Sequence, residues 1–388
     1  MNIDKLRAET KGCLNVAHFN NAGASFMADP ILESVTKYLE QEAQYGGYET
    51  ANNRKQDIEG TYLLIANLIN AQAEEIALME NATSAWNMAF YAIDFSPGDR
   101  ILTSFSEYAS NYINYLRLKQ EVDIQIEVIP NDKFGQISVN ALSEMMDEKV
   151  RLISITHIPT NNGLVNPAEE IGKIARKHDC LYLLDACQSI GQYPIDVEKI
   201  GCDLLSATGR KYLRAPRGTG FLYVNRNRLP NLTPPFLDLH SAEWTGKEEY
   251  RIRDDARRFE NWEANYAGII GLNTAVDYIL ELGIDSIWER VTYLAEILRE
   301  EISGLPNVSL HDIGKVKCGI VTFSVNGISA EEVKKYLFEH FINVSVSTKS
   351  STLLDMEKRN LSEVVRASVH YYNSETEIDK FIDTLSKM

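Results

Sequence analysis

The chain has 388 residues, 44% hydrophobic and 24% charged, proportions of a soluble globular protein with room for two domains or three and a sizeable core. Its 39 basic and 55 acidic residues leave a net charge of −16, which repels a nucleic-acid backbone or an anionic membrane surface, so neither is an expected partner. Five scattered cysteines (Cys13, Cys180, Cys187, Cys202 and Cys318), with no paired motif and no histidine cluster, argue against a disulfide framework and against a metal site.

The start, MNIDKLRAETKG, has no apolar segment behind a basic end, and no stretch reaches the roughly 18 apolar residues of a membrane span. The expectation is a cytoplasmic protein. Helical periodicity over about 31–69 is interrupted at QEAQYGGYETANNRKQD, where paired glycines predict a loop facing a site. Short apolar runs then alternate with amphipathic segments: EIALM (75–79), RILTS (100–104), IQIEVIP (124–130), RLISIT (151–156), LYLLD (181–185), DLLSAT (203–208) and GFLYV (220–224). Strands alternating with helices predict an α/β fold with a mainly parallel sheet of seven strands, covered on both faces, whose ligands sit at the strands' carboxyl ends.

Residues 225–262 lose this pattern in a proline-rich stretch that predicts a long surface excursion, and a long helix is expected over 264–301. After SGLPN the character changes to strand GIVTFSV (319–325), helix SAEEVKKYLFEHF (329–341), strands NVSVS (343–347) and VVRASVHYY (364–372), and a closing helix whose start chemistry lies around Thr376 and Glu377. This predicts a small C-terminal α+β domain. The division reads as an N-terminal arm (1–20), a large domain (21–265) and a small domain (266–388) that includes the connecting helix.

Polar residues at strand ends carry the chemistry. Asp185 closes LYLL, and a buried carboxylate there needs a cation or several donors; alone, it reads equally as a helix cap. Four basic residues, Arg210, Lys211, Arg214 and Arg217, follow the strand DLLSAT within eight positions of an acidic chain and predict an anion site. A strand-end aspartate with a lysine one strand later is the pair that pyridoxal phosphate needs. The lysine bonds to the cofactor, and the carboxylate pairs with its ring nitrogen.

DACQS followed by TGRKYLRAPRGTGFLY resembles the aminotransferase class V superfamily of fold-type-I pyridoxal-phosphate enzymes, which holds cysteine desulfurases, selenocysteine lyases, isopenicillin N epimerase-like proteins and ergothioneine-type C–S lyases. The likeness runs from NNAGAS (20–25) to RASVHYYNSETEID (366–379). It implies pyridoxal 5′-phosphate as cofactor, Lys211 as the Schiff-base lysine, Asp185 at the ring nitrogen and Gln188 at the ring hydroxyl. In ENATSAWN it implies that Ala82 and Thr83 hold the phosphate at a helix start, with Thr208 and Arg210 completing the cup.

Tyr108 stands where relatives stack a histidine on the ring, and Thr160 where an asparagine is usual. A tyrosine stacks but does not shuttle protons near neutral pH, which leaves proton traffic to Lys211. Arg366 matches the clamp on the substrate carboxylate. Asn21, Ala22, Tyr48 and His240 are further substrate-binding candidates. Trp262 and Glu263 replace a Gly-Thr pair that contacts the neighbouring subunit in a homodimer with its sites at the interface.

A desulfurase takes sulfur onto a small-domain cysteine, yet VSVSTKSSTLLDM (344–356) has none, and Cys318 opens an apolar strand, where a core role is expected. The expected reaction is therefore β-elimination from a cysteine S-conjugate or sulfoxide, giving a thiol-type product, pyruvate and ammonia. Alternatives are transamination or epimerisation of an amino-acid-like metabolite, for which Tyr45, Tyr48, His240 and Trp244 would line a larger pocket, a desulfurase or selenocysteine lyase, and a non-enzymatic pyridoxal-phosphate sensor.

Overall fold

The computed structural model describes residues 1–388. Seven strands build the large sheet: β1 (Ile76–Met79), β2 (Arg100–Thr103), β3 (Gln125–Val128), β4 (Val150–Thr156), β5 (Leu181–Asp185), β6 (Leu204–Thr208) and β7 (Gly220–Val224). Their order is β1-β7-β6-β5-β4-β2-β3. Only β7 runs against its neighbours, pairing antiparallel with both β6 and β1. Every residue of β5, β6 and β7 is buried, which is why these strands read as unbroken apolar runs rather than alternating ones. Because six strands point the same way, their carboxyl ends gather Asn81, Tyr108, Thr156, Asp185 and Lys211 along one edge.

A second sheet of four antiparallel strands takes the order Val308–Leu310, Ile320–Val325, Glu363–Ser368, Ser345–Thr348. A core of 62 buried residues covers one face of the large sheet and continues into this small sheet, while 23 residues fill the other face. The two sheets thus share a core on one side, which holds them in a fixed relation across the strand ends. No single helix is long and apolar enough to cross a membrane.

Several expectations are corrected. The segment around the paired glycines is helical: Asp29–Tyr45, Gly47–Asn53 and Lys55–Ile69 follow one another, and Gly46, at φ 95°, supplies the turn instead of a loop. The expected single helix over 264–301 is two, Tyr266–Leu282 and Ile284–Ser303, bent by 81° at Gly283. The first packs on Asp29–Tyr45 and Lys55–Ile69, and the second lies against the small sheet, so the helices change partner at Gly283. The excursion contains an exposed hairpin, Ala242–Gly246 with Glu249–Ile252. The N-terminal arm is held to the small domain, where Ala17–His18 pairs with Ile342–Asn343 and Asn20 bridges to Ser368.

Candidate active site

Lys211 lies in the turn after β6, and its Nζ donates to Cys187 Sγ at 3.2 Å. The turn packs over Gly191, where a Cβ would stand 2.5 Å from the Tyr212 carbonyl, so a side chain there would push Lys211 out of place. Asp185 ends β5 as a buried carboxylate. Its Oδ1 accepts from Cys187 N at 2.8 Å, and its Oδ2 accepts from Asn111 Nδ2 at 3.0 Å. Burial pushes this carboxyl above its ordinary range, against the pull of those donors and of the Lys211 charge.

These groups border a cavity of about 290 Å³, lined among others by Ala82, Thr83, Tyr108, Thr160, Gln188, Thr208 and Arg210. Ala82 and Thr83 open the helix Ala82–Tyr91, capped by Asn81, so its unpaired N–H groups face the space. Gly220 permits this: a Cβ would meet the Ala207 carbonyl at 2.5 Å and Asn81 at 3.1 Å, and its absence lets the helix start sit against β7. Arg210 reaches the same end of the cavity and also donates to the Gly23 carbonyl of the arm.

At the opposite wall Gln188 donates to the Ala22 carbonyl at 3.2 Å, while its Oε1 is buried without a donor. Arg366 stands behind Thr160, donating from Nη1 to Thr160 Oγ1 at 2.5 Å and to its carbonyl at 3.1 Å, and from Nε to Ser345 Oγ at 3.1 Å. No carboxylate pairs with this buried guanidinium. Asn21 is buried in bonds to the His18 and Ser368 carbonyls and to Tyr372, so it fixes the arm instead of facing the cavity. Ala22 presents its carbonyl to Gln188, and its N–H donates to Ser368 Oγ at 2.9 Å.

Other expected residues lie elsewhere in the protomer. His240 bonds Glu260 at 2.8 Å in a separate recess that Trp262 and Glu263 also line. Tyr45, Tyr48 and Trp244 are exposed and border no part of the Lys211 cavity. The basic cluster divides. Arg214 is buried, donates to Phe26 O, Tyr371 Oη and Thr10 Oγ1, and lies over the Tyr372 ring at 4.5 Å, so it braces the arm and leaves Arg210 and Lys211 as the cavity's cations. His157 is buried against Tyr193 and serves the core.

Three residues escaped the reading of the sequence. Cys187 was visible within DACQS but was counted only as a thiol. Glu107 and Asn111 stand four apart in SEYASN, the spacing of one helical turn, and both are buried beside Asp185.

The model of the aminotransferase class-V family matches residues 17–381. A probable cysteine desulfurase of Methanothermobacter thermautotrophicus is 30% identical over 365 residues, 92% of this chain and 91% of that one. One from Pyrococcus abyssi is 28% identical over 96% of this chain and 94% of its own length. Among solved structures, the apo cysteine desulfurase of Thermococcus onnurineus superposes with TM-score 0.93 at 25% identity, covering 99% of this chain and 97% of that chain. The cystine C–S lyase C-DES, in complex with its reaction product cysteine persulfide, superposes with TM-score 0.88 at 22% identity, covering 98% and 99%, a likeness of fold. The chain belongs to the class-V aminotransferase family. It is a pyridoxal-phosphate-dependent enzyme of fold type I that acts on an amino acid.

The residues present fit that cofactor. The cavity offers a lysine, a buried carboxylate for a ring nitrogen, an orphaned Gln188 oxygen for a ring hydroxyl, and a helix start with Arg210 for a phosphate. Bound there, pyridoxal phosphate supplies an electron sink for the charge left on a substrate's α-carbon.

Proposed function

We propose that the enzyme is a C–S lyase that eliminates the sulfur substituent of a cysteine-derived substrate, releasing a thiol-type product, pyruvate and ammonia. The observation that carries this reading is the loop after Ser345–Thr348: it contains no thiol, and it is pinned. Ser351 O accepts from Ala109 N at 3.0 Å, and Thr352 Oγ1 donates to Asn161 at 2.9 Å. Asp355 accepts from Asn162 at 3.3 Å and pairs with Arg359 at 3.2 Å. A loop that delivers a nucleophile to the substrate needs both the nucleophile and the freedom to swing. This one lacks both.

In this reading Arg366 holds the substrate carboxylate, because a buried guanidinium without an anion is satisfied by one. Lys211 takes the α-proton on its Nζ, and Asp185 holds the ring nitrogen. Gln188 and Thr160 orient the ring hydroxyl side, Ala82, Thr83, Thr208 and Arg210 hold the phosphate, and Tyr108 covers the ring. When the α-proton leaves, the C–S bond breaks with its electron pair on sulfur, and the three-carbon remainder is hydrolysed to pyruvate and ammonia. We further propose a cytoplasmic homodimer in which the recess bordered by Trp262 and Glu263 meets the partner, and two units that divide at Gly283.

A second reading, cysteine desulfurase, is favoured by the names of the relatives, and Cys187 is the one thiol lining the cavity. Burial pushes that thiol up, away from the thiolate a sulfur acceptor needs. Steady-state assays with S-substituted cysteines test the lyase reading: pyruvate and thiol in equal amounts support it, and alanine in place of pyruvate contradicts it. Lys211→Ala should abolish both the cofactor's visible absorbance and turnover.

A further inference from the structure

Glu107 lies in the turn between β2 and the helix Ala109–Val122, 3% exposed and with no cation against it. Its Oε1 accepts from Thr156 Oγ1 at 2.7 Å, Asn111 Nδ2 at 2.8 Å and Tyr108 N at 3.1 Å, and its Oε2 accepts from Thr103 Oγ1 at 3.2 Å. A carboxylate buried without a countercharge is costly to keep, and apolar residues would fill the space more cheaply. The bonds it makes therefore need a reason beyond packing.

Three of them lead into the cofactor cavity, one directly through Thr156, which lines it. Asn111 Nδ2 donates both to Glu107 at 2.8 Å and to Asp185 Oδ2 at 3.0 Å, so the glutamate fixes the amide, and the amide fixes the aspartate. Cys187 N holds the other aspartate oxygen at 2.8 Å. With both oxygens tethered, the Asp185 carboxylate cannot rotate about its own axis. The Tyr108 N–H on Glu107 anchors the residue whose ring lines the cavity. Glu107 itself borders no part of that cavity, so it acts only through these neighbours.

We propose that Glu107 is a positioning residue for the cofactor: through Asn111 it sets the orientation in which Asp185 meets the ring nitrogen, and through the Tyr108 backbone it holds the residue that covers the ring. The inference rests on Asp185 being the ring-nitrogen partner. Supporting partners of this kind are felt as cofactor affinity and electronic tuning more than as bulk stability.

The test measures the dissociation constant of pyridoxal phosphate and the position of its lysine-bound visible band, beside the melting midpoint of the cofactor-free protein, for E107A, E107Q, N111A and D185N. Glu107→Ala and Asn111→Ala should each weaken cofactor binding about tenfold, the size expected for one lost bond to a charged group, and both should move the visible band. Glu107→Gln keeps an oxygen for the same three donors and should stay within about twofold. The E107A/N111A double variant should lose less than the sum of the two single losses, because the two variants share the path through Asn111 and only the Tyr108 bond is lost in addition.

Wild-type affinity and spectrum in E107A, alongside altered values in D185N, would overturn the role of Glu107 and leave Asp185 in place. Fully additive losses in the double variant would also overturn it. An unaltered D185N would instead remove the Asp185 assignment. Where E107A yields no folded protein, E107D, which keeps the charge but shortens its reach by one methylene, carries the same expectation: a loss supports the role, and unchanged binding overturns it.

Discussion

In the proposed reading Arg366 is the residue on which substrate recognition turns. Its side chain is buried, its pKa is lowered by that burial, and its two partners at Thr160 and Ser345 are neutral oxygens. A carboxylate arriving beside it exchanges an uncompensated buried charge for a paired one. Arg366→Lys keeps the charge but loses the planar fork. Losing such a bond is worth about 1.5–3 kcal/mol, so kcat/KM should fall roughly 10- to 100-fold, mostly through KM. A kinetic comparison on one amino-acid substrate checks this, and an unchanged KM would remove Arg366 from the substrate site. Lys211 and Asp185 stood out in the sequence because each lies at or just after the end of an apolar strand, whereas Gln188 and Thr83 were reached through the family resemblance. Glu107 and Asn111 could not, because their partnership with Asp185 joins two non-adjacent strands. Arg214 and Arg217 were read as part of an anion site on proximity in the chain, but the positive φ of Arg214, 61°, turns its side chain under the arm.

At the scale of elements, the strands β5, β6 and β7 were legible for one physical reason: burial on both faces leaves no polar alternation to confuse the pattern. The short edge strand Val308–Leu310 and the hairpin at Ala242–Ile252 were not, because their residues are half-buried or exposed. The helical stretch 29–69 was misread at Gly46 and Gly47, where glycine was taken to end a helix although it only redirects one. The loop after Ser345–Thr348 depends on few contacts. Thr352 is fully buried, and its hydroxyl satisfies Asn161 Oδ1. Thr352→Val leaves that oxygen unpaired at a cost of about 1–3 kcal/mol. The expected outcome is faster proteolysis and amide exchange confined to residues 345–356 and their neighbours at 109 and 161, with little change in the melting midpoint. Protection equal to the parent's would show that the loop is held by something else.

For the whole molecule, two buried groups oppose one another in pH. Burial lowers His157 from 6.5 to about 4, so the folded protein binds fewer protons than the unfolded chain between those values. Stability is lost as pH falls through that window, by about 3 kcal/mol at most. Burial raises Glu107 from 4.5 to about 7. There the folded state binds more protons, and stability of similar size is lost as pH rises from 4.5 to 7. Asp185, Tyr115 and Lys211 are the groups whose charges bear on this cluster. In the cofactor-free protein the two slopes largely cancel between pH 4.5 and 6.5. Denaturant titrations should expose each one: Glu107→Gln loses its decline toward neutral pH, and His157→Gln resists acid better than the parent. Parallel profiles for parent and variants would contradict these ionisation states.

The fate of the three carbons left when sulfur departs distinguishes elimination from desulfuration. With free cysteine and with an S-substituted cysteine in turn, and no added thiol acceptor, the product is quantified as pyruvate or as alanine. A pinned loop without a thiol predicts pyruvate and ammonia in equal amounts from the S-substituted substrate, with no alanine and no sulfur retained on the protein. Alanine formed together with a protein-bound persulfide would contradict it and restore the desulfurase reading.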